Sequence, residues 1–145
     1  MKDGRSLQPQ PWDWPRPRVL LELPEREDRE ARVDALCRAG YSIAVCPGPT
    51  AAGQCPLAGD EGCAAAHGAD IVVSALGLDT PEGLEPLVAL RTRLPHLPVL
   101  VEADAEASAR WPELVREDER LEPGAGPAEL VERVRSVLGE VTAGA

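Results

Sequence analysis

The chain has 145 residues, 43% hydrophobic and 28% charged, which suits one domain with a buried core. Its formal net charge is −10, from 25 acidic and 15 basic residues, so the sequence does not predict a basic face that binds nucleic acid. No apolar run approaches the roughly 20 residues of a membrane-spanning helix. The stretch from Met1 to Arg18 lacks the apolar segment of a signal peptide, so we expect a cytoplasmic protein.

The first 17 residues are predicted to be a flexible, proline-rich tail. Proline recurs from Pro9 to Pro17, which is incompatible with a helix or an interior strand. Trp12 and Trp14 lie in this tail. We expect them on the surface of the domain, and the alternative is that they dock to a partner.

The rest of the chain alternates between strand and helix patterns. Short apolar runs predict five strands, at residues 19–23, 41–45, 69–76, 97–102 and 119–122. Helical spacing and capping residues predict five helices, at residues 25–39, 60–67, 80–93, 105–116 and 127–138. We expect Pro86 to kink the third helix or delay its start, and Pro112 to break the fourth.

This alternation predicts a parallel sheet covered by helices on both faces. The fold class is α/β, a flavodoxin-like, doubly wound sheet of five strands in the order 2-1-3-4-5. Residues 18–139 form the predicted domain, with tails at 1–17 and 140–145. Residues 46–59 form an enlarged, cysteine-rich loop after the second strand, where short connections are the norm.

Several segments resemble the receiver domain of bacterial response regulators, and together they extend from Arg18 to about Leu138. They are Arg18-Val19-Leu20-Leu21, Ala39-Gly40-Tyr41, Ala69-Asp70-Ile71-Val72-Val73 with Gly83-Leu84-Glu85, Leu97-Pro98-Val99-Leu100-Val101, and Pro127-Ala128-Glu129-Leu130-Val131-Glu132-Arg133-Val134. The resemblance implies a CheY-like fold. Most of these residues are packing and turn residues, so they indicate a fold more than a function.

The resemblance also implies a site at the carboxyl ends of the strands, and this chain lacks its residues. In a receiver, an acidic pair after strand one holds magnesium, an aspartate ending strand three accepts phosphate, a Thr or Ser ends strand four, and a lysine ends strand five. At these positions stand Leu23 and Pro24, Ala75, Ala103 and Pro123. The one lysine of the chain is Lys2. The resemblance therefore implies a degenerate receiver, a pseudo-receiver without the phosphate acceptor.

Acidic residues remain near the strand ends. A slip of one residue in the alignment would bring Glu22 toward the acidic position and Ser74 toward the acceptor position. Glu22 and Glu102, acids in otherwise apolar strands, are the two whose pKa we expect to be raised or whose partners need to be found. The strand-end acids could instead line a crevice for a divalent ion, although solvated acids are the simpler interpretation. These acids are Glu22, Asp79, Glu102, Asp104 and Glu122.

A second candidate site is the set Cys46, Cys55, Cys63 and His67, spaced C-x8-C-x7-C-x3-H. Three thiolates and an imidazole are a ligand set for zinc, and an iron–sulfur cluster is the other candidate cofactor, but the tight C-x2-C spacing of zinc motifs is missing. Cys63 and His67 are expected to share a helix face. The alternatives are buried structural thiols, a reversible Cys55–Cys63 disulfide, or haem ligation by a Cys-Pro pair. Cys37, on the first helix, is expected to be buried.

The sequence thus predicts a non-catalytic, phosphorylation-independent, receiver-like regulatory module that acts by protein–protein interaction. By resemblance, residues 105–138 form the candidate self-association surface of a homodimer. The alternative is a small metal- or redox-sensing protein that uses Cys46, Cys55, Cys63 and His67. No enzymatic activity, nucleic-acid partner or membrane partner is expected, and His96 is expected to lie at the surface.

Overall fold

One five-stranded parallel sheet organises the molecule. The computed structural model describes residues 15–48 and 63–139, and its strand order is β2-β1-β3-β4-β5. The strands are β1 (Arg18–Glu22), β2 (Ser42–Cys46), β3 (Ile71–Ser74), β4 (Val99–Glu102) and β5 (Arg120–Leu121). The helices are α1 (Arg29–Arg38), α2 (Ala64–Gly68), α3 (Pro81–Arg93), α4 (Ala105–Arg110) and α5 (Pro127–Leu138), with a 3-10 helix at Glu117–Glu119. The predicted flavodoxin-like fold is confirmed.

Both faces of the sheet are buried, because alternate residues of the central strands enter two separate cores. Leu21 and Val73 pack in a core with side chains of α1 and α5, and we call this side the α1/α5 face. Leu20 and Val72 pack in a core with side chains of α2, α3 and α4, and we call that side the α2–α4 face. None of the described helices has the length and apolarity needed to cross a bilayer.

Helix ends differ from the sequence prediction where proline or a side-chain bond intervenes. The last helix has the predicted bounds, Pro127–Leu138. α1 begins at Arg29 instead of residue 25, because residues after Pro24 form a turn in which Arg26 binds Asp28. α4 ends at Arg110, two residues before Pro112, as a helix must before a proline. Pro86 lies inside α3 and does not delay its start.

The remaining differences lie at the edges of the sheet. β5 has two residues instead of the predicted four, because Glu117–Glu119 form the 3-10 helix instead. α2 begins at Ala64 with Cys63 as its N-cap. The predicted start of this helix at Asp60, most of the predicted cysteine-rich loop, and the predicted tails at 1–14 and 140–145 lie outside the described residues.

The connection from β3 to α3 depends on two glycines. Gly77 has a φ of +87°, a backbone conformation that side chains other than glycine rarely adopt. A Cβ atom on Gly83 would lie only 1.6 Å from the Gly77 carbonyl oxygen. The loop therefore closes directly onto the first turn of α3, and this fixes the residues that follow β3.

A buried arginine holds the segment between α4 and β5. The side chain of Arg91 on α3 is 7% exposed and donates to the Leu114 carbonyl at 3.0 Å. Its Nη1 lies 3.0 Å from Glu119 Oε1, at an angle that does not make a hydrogen bond. Burial lowers the pKa of Arg91, and the charge of Glu119 opposes that effect. Arg91 thereby attaches the segment between α4 and β5 to α3.

Candidate functional site

The carboxyl ends of the parallel strands meet at one edge of the sheet and bring polar residues together there. β1 ends at Glu22, which lies beside Cys46 on β2 and Ser74 on β3. β4 ends at Glu102, beside Leu121 on β5. Because successive residues alternate between faces, Glu22, Ser74 and Cys46 belong to the α2–α4 face, whereas Glu102 belongs to the α1/α5 face. A buried carboxyl group, Glu22, and a largely buried one, Glu102, thus lie at one edge on opposite sides of the sheet.

Glu22 is a buried carboxyl group that forms no ion pair with any residue in the described ranges. The residue is 4% exposed, and among the described residues its Oε1 atom has no hydrogen-bond partner. Burial raises the pKa of Glu22 to about 7, and a hydrogen bond with Ser74 opposes the rise. A raised pKa was expected for this residue, because a carboxylate in an apolar strand loses its hydration. Near neutral pH this side chain is partly protonated.

Glu102 has arginine partners on the opposite face. Arg32 Nη2 lies 2.6 Å from Glu102 Oε2, and Arg26 Nη2 lies 3.2 Å from Oε1. The Arg32 side chain is 1% exposed and also donates to the Ala125 carbonyl at 3.3 Å. Its Nε lies 3.1 Å from Asp28 Oδ2 but does not make a hydrogen bond. One helix arginine thereby connects α1 with the end of β4 and the loop before α5.

The turn before α1 completes this ion cluster. Arg26 Nε donates to Asp28 Oδ1 at 2.6 Å. This bond is the main reason why the pKa of Arg26 is raised and that of Asp28 lowered. We call Arg26, Asp28, Arg32 and Glu102 the arginine–carboxylate cluster. α1 and the turn before it therefore supply two positive charges to the carboxyl edge of the sheet.

Sequence reasoning identified Glu102 but missed both arginines. The available signal was helical spacing: Arg32 lies four residues after Asp28 and four before the buried Leu36, so it shares the helix face that covers the sheet. A charged residue on such a face requires a buried partner, and Glu102 was the acid without one. Combining the two observations would have predicted the pair.

Residues directly after the strands are mostly small or apolar. Leu23 is fully buried after β1, Ala75 is 4% exposed after β3, and Ala103 is 6% exposed after β4. β5 ends at Leu121, so Glu122 follows it directly, and Pro123 lies one residue further than the sequence comparison placed it. The described part of this edge contains no lysine.

The remaining strand-end acids do not converge on a common site in the described part of the chain. Asp104 accepts a hydrogen bond from the Ala107 amide at 2.8 Å as the N-cap of α4. Glu122 pairs with Arg120 at 2.5 Å, and Asp79 is exposed. Within residues 15–48 and 63–139, no three His, Cys, Asp or Glu side chains form a group that could hold a metal. The crevice for a divalent ion is therefore not formed by the described residues.

The cysteine–histidine set is only partly described, since Cys55 lies outside the described residues. Cys46 and Cys63 are half-buried and pack against the core of the α2–α4 face. His67 is exposed, in the last turn of α2. The expected common helix face of Cys63 and His67 is wrong, because Cys63 precedes the helix with an extended backbone (φ −135°). The four-ligand site stays a prediction.

Cys37 corrects a second expectation about the cysteines. It was predicted to be buried, but it is an exposed free thiol on α1. Its neighbour Leu36 is fully buried, and one residue turns the helix by about 100°, which carries Cys37 away from the sheet.

Solved receiver domains share this architecture. The non-phosphorylated HemR receiver domain from Leptospira biflexa is 20% identical, with a TM-score of 0.62 over 88% of this chain and 98% of that one. The signal receiver domain of an HD domain-containing protein from Pseudomonas fluorescens Pf-5 is 21% identical, with a TM-score of 0.62 over 86% and 96%. The receiver domain of Francisella response regulator 1452 is 16% identical, with a TM-score of 0.62 over 86% and 98%.

The fold is that of a CheY-like receiver domain. No protein-family model matches the sequence, and no curated protein matches it either. Identities of 16–21% to these structures show a common fold and leave the chemistry to the residues of this chain. In this receiver-like domain, the carboxyl edge carries Glu22 and the arginine–carboxylate cluster.

Proposed function

We propose that this chain is a regulatory module of the receiver type that works without phosphorylation and acts by contacting other proteins. The observation that carries the proposal is Ala75, a buried alanine at the residue that follows β3. The resemblance to receivers assigns that residue to the phosphate-accepting aspartate. A methyl group cannot form an acyl phosphate.

The neighbours of Ala75 support this proposal. The hydroxyl group of Ser74 is buried and bonds to Glu22, so a serine phosphate there would have to displace a packed carboxyl group. Phosphoryl transfer also needs cations around the transferring group. Arg26 and Arg32 at this edge are already paired with Glu102, and Arg120 is paired with Glu122. Among residues 15–48 and 63–139, no side chain described at this edge therefore combines a nucleophile with free positive charge, which the reaction uses, and we propose no enzymatic role.

Protein contact is the remaining route by which such a domain can act, and residues 105–138 are the proposed surface for a homodimer. This surface comprises α4, the 3-10 helix, β5 and α5. It is charged, with ion pairs between Glu106 and Arg110 and between Glu132 and Arg135. Among the described residues, the exposed large hydrophobic side chain is Val88, on α3 outside this surface. We therefore propose a polar interface that salt weakens.

Beryllofluoride with magnesium tests the first part of the proposal, because it mimics phosphate on an acceptor aspartate. The amide spectrum of the isotope-labelled full chain is expected to stay unchanged when both are added, apart from small effects on exposed acids. A phosphorylatable receiver domain measured in parallel serves as the positive control. Saturable shifts centred on residues 74–76 would overturn the proposal.

Sedimentation analysis at low and high salt tests the second part. We expect self-association at low salt that decreases as salt rises and that is lost in Arg110→Glu with Arg135→Glu. Arg38→Glu is the matched control, since Arg38 is 79% exposed but lies on α1. Association that is insensitive to the first pair of substitutions would place the interface elsewhere.

A further inference from the structure

β2 is an edge strand with an open side. In the part of the chain that the structure describes, β2 pairs with β1 alone, and every one of its residues is half-buried. The Ser42 amide donates to the Pro17 carbonyl at 2.9 Å, so every second residue from Ser42 onward directs its backbone groups toward β1. The amide and carbonyl groups of Ile43 and Val45 therefore point away from β1. We call this the open edge of β2, and such an edge is a template for one more strand.

The amino-terminal chain is in contact with the first residue of this strand. Ser42 Oγ donates to the Pro15 carbonyl at 2.7 Å, in addition to the bond between the Ser42 amide and Pro17. Pro15 is the first residue that the structure describes, so residues 1–14 continue from a point beside the start of β2. Because β2 has 5 residues, this length of chain is more than enough to follow the whole strand.

The prolines of the tail have a spacing that suits an edge strand. They lie only at odd-numbered residues from 9 to 17, namely Pro9, Pro11, Pro15 and Pro17. In an extended strand, successive residues direct their N–H and C=O groups to opposite edges. The prolines would therefore all face one edge, and the residues between them would present intact amides at the other. Proline is tolerated in a sheet in this arrangement, where its missing N–H faces solvent.

We propose that residues 10–14 of the chain's own tail add to the open edge of β2 as an antiparallel strand. The direction follows from the contact between Pro15 and Ser42. A chain that enters the domain at the start of β2, after lying along that strand, must run opposite to it. The proline spacing sets the side that faces β2, because only the even-numbered residues have amides there.

The register of the added strand continues from the observed contact. With Pro15 beside Ser42, Trp14 lies opposite Ile43 and Trp12 lies opposite Val45, and each pair would exchange two hydrogen bonds. Ile43 packs against the core of the α1/α5 face, and Val45 lies on the same face of the sheet because it is two residues further along β2. The indole rings would cover these half-buried side chains, as aromatic and β-branched residues do in cross-strand pairs.

Tether length favours the chain's own tail over a strand of a second molecule. Pro15 already contacts β2, and an extended residue spans about 3.3–3.6 Å, so Trp14 and Trp12 reach the open edge without any change in the domain. The attachment also keeps the tail at a high effective concentration beside β2. The added strand would cover the unpaired backbone groups, so another chain could pair with β2 only after the tail is released.

Amide hydrogen exchange in the full chain, measured by nuclear magnetic resonance, tests the proposal. We expect the Ile43 and Val45 amides to be protected, although they point away from β1. Trp12→Pro combined with Trp14→Pro removes both amides that face β2, so exchange at Ile43 and Val45 should become faster by at least about fivefold. Asp13→Pro is the matched control, because residue 13 faces away from β2 and its amide makes no bond there. Unchanged exchange in β1 and β3 would show that the domain stays folded in each variant.

A contact between backbone protons tests the register. Asp13 and Ala44 would form the non-hydrogen-bonded pair, at which antiparallel strands approach most closely, so we expect a nuclear Overhauser effect between their Hα protons. The double proline variant should lose it, and Asp13→Pro should keep the protection of Ile43 and Val45. Unprotected Ile43 and Val45 amides in the unaltered chain, or protection that the double variant keeps, would overturn the proposal. A contact seen only between differently labelled copies would overturn it as well, since the strand on β2 would then belong to a second molecule.

Discussion

The two faces of the carboxyl edge accommodate a buried carboxyl group in opposite ways. On the α1/α5 face, Glu102 is paired with Arg32 and Arg26. On the α2–α4 face, Glu22 has a hydrogen bond with Ser74 and an Oε1 atom without a partner among the described residues. The residue type is the same, but Glu102 lies against two guanidinium groups, whereas burial raises the pKa of Glu22.

This contrast shows two ways in which one edge of a sheet can accommodate a carboxyl group that has lost most of its hydration. A buried carboxylate must be compensated by a cation or must accept a proton. The arginine–carboxylate cluster does the first with a side chain of the protein, and Glu22 does the second. Neither arrangement leaves a free negative charge of the kind that holds magnesium in a receiver.

Replacing Arg32 gives the largest expected effect on this contrast. Arg32→Met leaves Glu102 buried with only Arg26 as its partner, so we expect the free energy of unfolding to fall by about 3–5 kcal/mol. Urea unfolding measures the change. Arg38→Met, on the same helix but with an exposed ion pair to Asp34, should cost less than about 1 kcal/mol. Equal losses in the two variants would show that the Arg32–Glu102 pair contributes no more to the free energy of unfolding than an exposed pair does.

The matching substitution on the other face changes the pH dependence of stability. The pKa of Glu22 is about 7 in the folded chain, against 4.5 for an ordinary glutamate, so the folded state binds the proton more tightly. The free energy of unfolding should therefore fall as pH rises between these values. The free energy of unfolding of Glu22→Gln should not show this pH dependence. Relative to wild type, the variant should therefore become more stable by about 3 kcal/mol as the pH rises from acid to mildly alkaline.

A matched control for Glu22→Gln is Glu106→Gln, because the Glu106 side chain is 80% exposed. Its stability profile should follow that of wild type at every pH. If Glu22→Gln also follows wild type, Glu22 is ionised in the folded protein and the contrast between the two faces is wrong.

Removing the hydroxyl group of Ser74 is expected to have a smaller effect on stability. Ser74→Ala takes away the hydrogen bond that lowers the pKa of Glu22, so the titration midpoint should move to higher pH. The expected loss of stability is about 1 kcal/mol. Carbon-13 detection of the Glu22 carboxyl group measures the midpoint. Ser108→Ala, another buried serine, should lose stability without moving that midpoint.

The smallest effect is expected from the cysteine segment. His67 is exposed at the end of α2, and Cys46 and Cys63 pack against a hydrophobic core, so we expect less than one zinc or iron atom per chain. Elemental analysis of protein that was purified without chelators measures the metal content. One equivalent of metal that is lost in Cys55→Ser would establish the site of Cys46, Cys55, Cys63 and His67.

The sequence was sufficient to predict the fold because the fold depends on local patterns. Apolar runs such as Ile71–Ser74 and the spacing of Pro127–Leu138 are properties of neighbouring residues, and alternation of strand and helix limits the topology. Short elements were harder to predict. β5 has two residues, and its position is fixed by contacts such as Arg91 with Glu119, which join residues distant in sequence.

The candidate site was predictable only in part, for the same reason. Glu22 and Glu102 were identifiable as acids in apolar strands. Glu102 differs from Glu22 because it pairs with Arg32. Arg32 is 70 residues from Glu102 in the sequence and contacts it only in the folded chain. The prediction for Cys37 was wrong because a helix residue next to a buried leucine can face solvent.

Intact-mass analysis after incubation with acetyl phosphate and magnesium tests the central claim most directly. We expect the unaltered full chain to gain no phosphoryl group. Ala75→Asp, which places a carboxylate at this residue, is the comparison variant. Incorporation of a phosphoryl group into the unaltered chain, mapped to Glu22, Ser74 or Glu102, would contradict the account.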